Sequence, residues 1–216
     1  MSTNGIDLVV FDMEGTLTAS PTVWELMHVK VGTWRSHGLP YWEQYKAGTL
    51  SYDEFARMDT ATWRGAPVEL LDRAVEEVPL MAGCRELLAH LAERGIRTAI
   101  VSNGLERLGL RLAREFGVAR VLANRELLDD GRLTGELELV VPFAEKGEML
   151  SRIAGEMDIP ARRVVAVGDG PADIGMFERA GSSIAFLPSS REVAARAKHV
   201  IAQADLRLLI PLLTDG

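Results

Sequence analysis

Apolar positions along the chain fall into short continuous runs and into longer stretches with helical spacing. The run Ile6–Phe11 predicts a central strand that is buried on both faces. Later runs predict further strands at Ile96–Val101, Arg120–Ala123, Arg163–Val167, Ser183–Phe186 and His199–Ile201. Helical spacing predicts helices at Cys84–Arg94, Leu105–Phe116, Ala144–Met157 and Leu206–Leu213. The alternation predicts an α/β fold with a mostly parallel sheet flanked by helices.

Two segments interrupt this alternation. Glu126–Val141 has the pattern of a β-hairpin, with its turn at Asp130-Gly131. The segment from about Ala19 to about Glu77 predicts helices without intervening strands, which is typical of an insertion. We therefore divide the chain into a core of residues 1–18 and 78–216 and a helical insertion of residues 19–77.

The insertion holds all the large polar aromatic residues of the chain. They are Trp24, Trp34, Trp42, Trp63, Tyr41, Tyr45 and Tyr52. Such side chains are able to wall a substrate pocket, but aromatic residues also dominate the burial of small domains. We expect most of them to form the core of the insertion.

Composition and charge limit the classes of function that the sequence allows. The chain has 216 residues, of which 47% are hydrophobic and 25% charged, as in soluble globular proteins. A net charge of −7 without a run of Lys or Arg predicts no nucleic-acid partner. No apolar stretch approaches a membrane span, and the first residues lack a secretory pattern. Cys84 is the only cysteine, so we expect a buried thiol, no intrachain disulfide and a cytoplasmic location.

Two carboxylates, Asp12 and Glu14, stand where the first strand ends, and Gly15 after them permits a tight turn. Acids this close repel one another unless a divalent cation or a reacting phosphorus lies between them. The carboxyl end of a central strand is also the ligand-binding edge of an open α/β sheet. We interpret Asp12 as a nucleophile that forms an aspartyl-phosphate, and Glu14 as the general acid and base.

Three later features fit this interpretation. Ser102, followed by Asn103, Gly104 and a predicted helix, has the pattern of a phosphate cradle at a helix N-terminus. Lys146 lies in the first turn of a predicted helix, where the dipole disfavours a cation, and this placement indicates a partner anion. Asp169, in a Gly-Asp-Gly turn, is typical of a Mg²⁺ ligand, and Asp173 either orients a metal-bound water or stabilises the next helix.

Together these residues resemble the four motifs of the haloacid dehalogenase superfamily, and most closely its phosphoserine phosphatase-like branch. Asp12-Met13-Glu14-Gly15-Thr16 resembles the first motif, Ser102 the second, Lys146 the third, and Gly168 to Asp173 the fourth. The resemblance implies a Rossmann-like sheet and a helical cap inserted after the first motif. It also implies a Mg²⁺ ion held by Asp12, the backbone carbonyl of Glu14, and Asp169, while Ser102 and Lys146 bind the phosphoryl group.

Two positions depart from the pattern of that branch. Glu14 stands where an aspartate is usual, one methylene longer with a similar intrinsic pKa. In the cap, Asp59 replaces the arginine that would grip a serine carboxylate, and Pro21 replaces the acid that would hold its amine. The residues available for substrate contacts are Glu25, Tyr52, Arg57, Asp59 and Arg64.

The sequence therefore predicts a Mg²⁺-dependent phosphatase that acts on a small phosphorylated metabolite, as a monomer or homodimer. Because of Asp59, a sugar or aminosugar phosphate is an alternative to phosphoserine as substrate. Transfer of the phosphoryl group to an alcohol rather than to water is a second alternative. A receiver-like switch also uses a phospho-accepting aspartate on a parallel sheet, but it has no need of a lid.

Overall fold

The computed structural model describes residues 5–214. Within them, a seven-stranded sheet has the order β4-β3-β2-β1-β5-β6-β7. All neighbouring strands are parallel except β3 and β4, which form an antiparallel hairpin. The strands are β1 (Leu8–Phe11), β2 (Arg97–Leu105), β3 (Arg120–Asp129), β4 (Arg132–Glu138), β5 (Val164–Gly168), β6 (Ser182–Phe186) and β7 (His199–Ile201).

Helices lie between most of these strands and in the segment after β1. They are α1 (Val23–Val31), α2 (Leu39–Lys46), α3 (Tyr52–Thr62), α4 (Val68–Glu77), α5 (Cys84–Glu93), α6 (Glu106–Phe116), α7 (Lys146–Glu156), α8 (Ile174–Arg179), α9 (Arg191–Arg196) and α10 (Ile210–Thr214). No helix of residues 5–214 combines the length and the apolar composition needed to cross a bilayer. The predicted α/β fold is confirmed.

The first strand occupies the centre of the sheet. Val10 of β1 pairs with Ala99 of β2 on one side and with Ala166 of β5 on the other. Residues of β1 alternate between two apolar clusters, with Val9 and Phe11 in one and Leu8 and Val10 in the other. A strand packed on both faces requires apolar residues at every position, which explains the continuous run in the sequence.

The segment between β1 and α5 is helical, as predicted. It contains α1 to α4 and a π-helical turn, Trp34–Gly38, between α1 and α2. Helix α3 packs against β4, and α1 packs against α4. The inserted helical cap is thus part of the fold, while its limits at residues 19 and 77 stay a prediction.

Several predicted elements differ in extent. Strand β2 continues to Leu105, through a register shift after Val101, where the sequence predicts a turn and a helix. Strand β3 is one continuous element and includes the first arm of the hairpin. The hairpin turn lies at Asp130-Gly131, where both residues have positive φ, as a tight two-residue turn requires. A 3-10 turn, Phe143–Glu145, precedes α7, and α9 has no counterpart among the predicted helices.

Candidate active site

The carboxyl ends of β1, β2 and β5 lie side by side, because these three strands are parallel neighbours. Asp12 and Asp169, which directly follow β1 and β5, and Ser102, which follows the register shift in β2, therefore meet at one edge of the sheet. The backbone N–H of Asp12 donates to the carbonyl of Val167 at 2.8 Å, which extends the sheet pairing to the acid. All three residues line a cavity of about 370 Å³ between the sheet edge and the helical insertion.

Lys146 joins two carboxylates at the floor of this cavity. Its Nζ lies 2.6 Å from Oδ1 of Asp12 and 2.5 Å from Oδ1 of Asp173, and all three side chains are buried. Burial alone would lower the pKa of Lys146, but the charges of Asp12 and Asp173 outweigh it and raise that pKa. The ammonium group is therefore permanently charged and fixed beside Asp12, which gives the cation in the first turn of α7 its partner anions.

Asp173 is held by donors on both sides. Its Oδ1 accepts from Lys146, and its Oδ2 accepts from the backbone N–H groups of Asp169 and Gly170, each at 2.9 Å. These bonds fix the turn that carries Asp169. Both oxygens of Asp173 thus hold neighbouring groups in place, which fits the predicted stabilisation of this turn, while a role of Asp173 at a metal ion stays a prediction.

A cluster of acidic groups in the cavity has the composition of a metal site. Carboxylate oxygens of Asp12, Asp169 and Asp173 lie within 4.8 Å of one another. Burial, followed by the charges of Asp12 and Asp173, raises the pKa of Asp169 to about 8. This excess of negative charge fits a hard cation, which prefers carboxylate oxygens and would remove the repulsion. Asp12 and Asp169 are the residues that would hold it.

Gly15 permits the close approach that this cluster needs. Its φ is +93°, and a Cβ at this position would lie 2.7 Å from Oδ2 of Asp169. Thr16, the next residue, donates from its hydroxyl to Oδ1 of Asp169 at 3.1 Å. The turn after β1 and the turn after β5 are thus packed directly against one another.

The carboxylate of Glu14 is bound to the first helix of the insertion. Its Oε1 accepts from the backbone N–H of Val23 at 2.9 Å, and its Oε2 accepts from the indole Nε1 of Trp24 at 3.0 Å. Burial, with a smaller contribution from the charge of Asp12, raises the pKa of Glu14 to about 7. The two hydrogen bonds act in the opposite direction, because they stabilise the carboxylate. No sequence pattern identifies Val23 and Trp24 as partners of Glu14, since the contact depends on how α1 packs.

Ser102, Asn103 and Gly104 line the cavity, but they do so from an extended strand. Helix α6 follows directly, beginning at Glu106 with Leu105 as its N-cap, one residue later than predicted, and a phosphate cradle at these three residues stays a prediction. Asn103 donates from its side chain to the carbonyl of Val141 at 2.8 Å, and its own carbonyl accepts from the side chain of Asn124. These bonds replace the interrupted strand pairing. The hydroxyl of Ser102 accepts from the N–H of Gly104 at 3.1 Å.

Aromatic rings form most of the cavity wall on the side of the insertion. They belong to Trp24, Trp34, Trp42, Tyr45, Tyr52, Phe55 and Phe143. Trp63 is buried in the core as expected, with 1% of its surface exposed. The prediction that most tryptophans and tyrosines form the core of the insertion is wrong, because five of the seven line the cavity.

The predicted substrate contacts divide into two groups. Glu25, Tyr52 and Asp59 line the cavity. Arg57 and Arg64 are exposed and do not line it, although both are on or next to α3. Glu25 is half-buried, whereas Asp59 is buried with its Oδ1 2.9 Å from Nε2 of His28.

Comparison with known proteins agrees with this geometry. A family profile for haloacid dehalogenase-like hydrolases matches residues 9–178. A phosphoserine phosphatase of Archaeoglobus fulgidus is 35% identical over 83% of this chain, and the chain spans only 52% of that relative. One from Methanocaldococcus jannaschii is 31% identical, with 94% of this chain and 95% of the relative covered.

Solved structures give the same result. A phosphoserine phosphatase captured as an analogue of its phospho-aspartyl intermediate superposes with a TM-score of 0.86 and 28% identity, covering 97% of this chain and 100% of the other. The predicted resemblance is confirmed, and this chain belongs to the haloacid dehalogenase-like hydrolases.

Proposed function

We propose that this chain is a Mg²⁺-dependent phosphomonoesterase that carries the phosphoryl group on Asp12. One observation supports this function above the others: Asp12 lies between a fixed ammonium group, Lys146, and a second carboxylate, Asp169. This arrangement offers a nucleophile, one ammonium group for the phosphoryl oxygens and a pair of carboxylates that would hold Mg²⁺. The relatives named phosphoserine phosphatases, and the phospho-aspartyl analogue among them, support the same chemistry.

In the first half-reaction, a carboxylate oxygen of Asp12 attacks phosphorus and the bond from phosphorus to the alcohol oxygen breaks. Glu14 donates a proton to the departing oxygen, and a carboxyl whose pKa is raised to about 7 holds that proton near neutral pH. Lys146 and Ser102 contact the phosphoryl oxygens. When bound, Mg²⁺ supplies positive charge to those oxygens through Asp12, the carbonyl of Glu14 and Asp169.

In the second half-reaction, Glu14 removes a proton from water, and the water oxygen attacks phosphorus. The bond from phosphorus to Asp12 breaks, which releases inorganic phosphate and regenerates the carboxylate. Lys146 stabilises this leaving carboxylate by its hydrogen bond to Oδ1. The helical insertion beside the cavity supports an enzyme rather than a switch, because a hydrolase gains by closing a lid over its substrate.

The substrate is a small phosphate monoester, since the cavity of about 370 Å³ is of the size that holds small molecules. The single cysteine supports action in a reducing compartment such as the cytoplasm. The proposed enzyme acts as a monomer or homodimer.

The test is release of inorganic phosphate from p-nitrophenyl phosphate, with Mg²⁺ and with a chelator. Asp12→Asn is the control, because the amide keeps the size of the side chain and removes the nucleophile. We expect turnover only with the unaltered Asp12 and with Mg²⁺. Turnover by Asp12→Asn would place the nucleophile elsewhere. A phospho-protein that persists for hours would indicate a switch, and phosphoryl transfer to added methanol in preference to water would indicate a phosphotransferase.

A further inference from the structure

The residues of the insertion that line the cavity are mostly acidic and aromatic, and they form the half of the cavity that would receive the leaving alcohol when the phosphoryl group is at Asp12. From this lining we propose that the alcohol carries an ammonium group and no carboxylate, so that the substrate is a phosphorylated amino alcohol. The inference rests on the proposed phosphatase function and names the substrate class of that same site.

The described residues that line the cavity offer no free cation for a substrate carboxylate, and the nearby ammonium group of Lys46 lies over the ring of Trp42, 5.4 Å from its centroid. Among the described residues that line it, Lys146 is the one cationic side chain, and Asp12 and Asp173 already hold it. Arg57 and Arg64, the arginines nearest in sequence to the position of Asp59, are exposed outside the cavity. A carboxylate in the outer half would lose its hydration without gaining a partner, which is costly. An amino acid phosphate is therefore disfavoured.

The same half offers carboxylates for a cation. Glu25 lies in the first turn of α1, is half-buried, and its carboxylate forms no hydrogen bond or salt bridge within residues 5–214. An acid that lines a cavity without a partner is complementary to a positively charged ligand. Asp59, deeper in the wall, adds a second carboxylate whose Oδ1 is beside His28.

The aromatic rings of this wall are continuous and suited to a cation. The Tyr45 ring stacks on the Phe55 ring with centroids 5.7 Å apart. The centroid of the Trp42 ring lies 5.5 Å from that of Tyr45 and 6.0 Å from that of Phe55. Tyr52 contacts both Tyr45 and Phe143. Ammonium groups are attracted to the faces of such rings, and quaternary ammonium groups are recognised by clusters of them. The rings and Glu25 thus favour the same charge on the ligand.

The closing experiment compares substrates that differ only at the group facing this wall. Phosphocholine and phosphoethanolamine carry the ammonium group. Phosphoserine adds a carboxylate to phosphoethanolamine, and 3,3-dimethylbutyl phosphate has the shape of phosphocholine without its charge. We expect kcat/KM for the better ammonium ester to exceed that for phosphoserine and for the neutral ester by about tenfold or more.

Variants of the cavity wall test whether its acidic and aromatic residues cause the preference for an ammonium ester. We expect Glu25→Gln and Trp42→Leu to reduce the ratio of kcat/KM between phosphocholine and its neutral analogue. The matched control is Glu69→Gln, which alters an exposed glutamate in the first turn of α4 and should leave the ratio unchanged.

The outcomes separate the two proposals. Hydrolysis of p-nitrophenyl phosphate together with a preference for phosphoserine or for the neutral ester would overturn the ammonium inference alone. If none of these esters is hydrolysed in the presence of Mg²⁺, the proposed function is overturned, and the inference with it.

Discussion

The indole Nε1 of Trp24 donates a hydrogen bond of 3.0 Å to Oε2 of Glu14. Glu14 follows the central strand of the sheet, whereas Trp24 belongs to the first helix of the insertion. The orientation of the proposed general acid therefore depends on the position of the insertion. Closure or displacement of α1 would change the direction of the carboxyl group as well as access to the cavity.

Trp24→Phe removes the indole donor and keeps an aromatic ring in place. We expect kcat for an alkyl phosphate to fall about 3- to 10-fold, the range for loss of one hydrogen bond, with a smaller change in KM. Hydrolysis of p-nitrophenyl phosphate should fall less, because its leaving group needs little protonation. Trp63→Phe, which alters a buried tryptophan outside the cavity wall, is the control for packing. Equal loss for both esters would assign Trp24 a purely structural role.

Gly15→Ala tests the contact between the turns after β1 and β5. The new Cβ would lie 2.7 Å from Oδ2 of Asp169 at a φ of +93°. We expect at least about a tenfold loss of activity and a higher Mg²⁺ concentration for half-activation, because displacement of Asp169 disturbs an ion site that needs strict geometry.

Gly117→Ala is the matched control for this substitution. Gly117 has a φ of +71°, and nothing lies within 4 Å of its added Cβ. The control should lose about 1–2 kcal/mol of stability through backbone strain and keep its activity. Normal Mg²⁺ activation in Gly15→Ala would contradict a role of this turn in the metal site.

Mg²⁺ should raise the thermal unfolding temperature of the protein. An ion that binds only the folded state stabilises it by about 2.7 kcal/mol at one hundred times its Kd. Asp169→Asn should abolish this effect, and without metal the variant should unfold at the same temperature or higher, because it lacks one of the mutually repelling carboxylates. Glu69→Gln should keep the full Mg²⁺ response. An undiminished response in Asp169→Asn would place the ion elsewhere.

Cys84 should resist alkylation in the folded protein. Its thiol is buried, and burial raises its pKa to about 12. We expect no modification by iodoacetamide at pH 8 under native conditions and rapid modification of the denaturant-unfolded chain, measured by mass spectrometry. Fast labelling of the folded enzyme would contradict the buried position.

The raised pKa of Cys84 also affects the stability of the folded protein. Above a pH of about 8.5, the thiol ionises in the unfolded chain but not in the folded one. The folded state then binds more protons, so its stability should decrease as pH rises from about 8.5 towards the folded pKa of about 12. Cys84→Ala should show a weaker decrease in urea unfolding over this range.

Local sequence patterns were sufficient to predict where the acidic residues of the site lie in the fold. The apolar run before Asp12 and the Gly-Asp-Gly turn predict strands that end at one edge, and parallel pairing brings them together. The polar sequence at Ser102 to Gly104 has the pattern of a turn, and the sequence does not show that bonds from Asn103 and Asn124 keep it extended.

The cavity wall needed tertiary information. Helical periodicity places Trp42, Tyr45 and Tyr52 among apolar positions but does not tell a core from a cavity, since both are lined by large side chains. The partners of Glu14 likewise follow from the packing of α1 and leave no local pattern. In contrast, the position of Lys146 at the start of a helix did predict a partner anion. The helix dipole disfavours a cation there, so a nearby negative charge is expected to compensate.

The separate origins of the two halves of the cavity bear on how such enzymes diversify. The groups proposed to act on phosphorus come from the core, near the ends of its strands and, for Lys146, from the start of α7, whereas the rings and Glu25 come mainly from one continuous insertion. Exchange of that insertion with the equivalent region of a relative is therefore a route to new selectivity with old chemistry. The exchange has one constraint: the incoming segment must bring its own donor for the acid that follows the central strand.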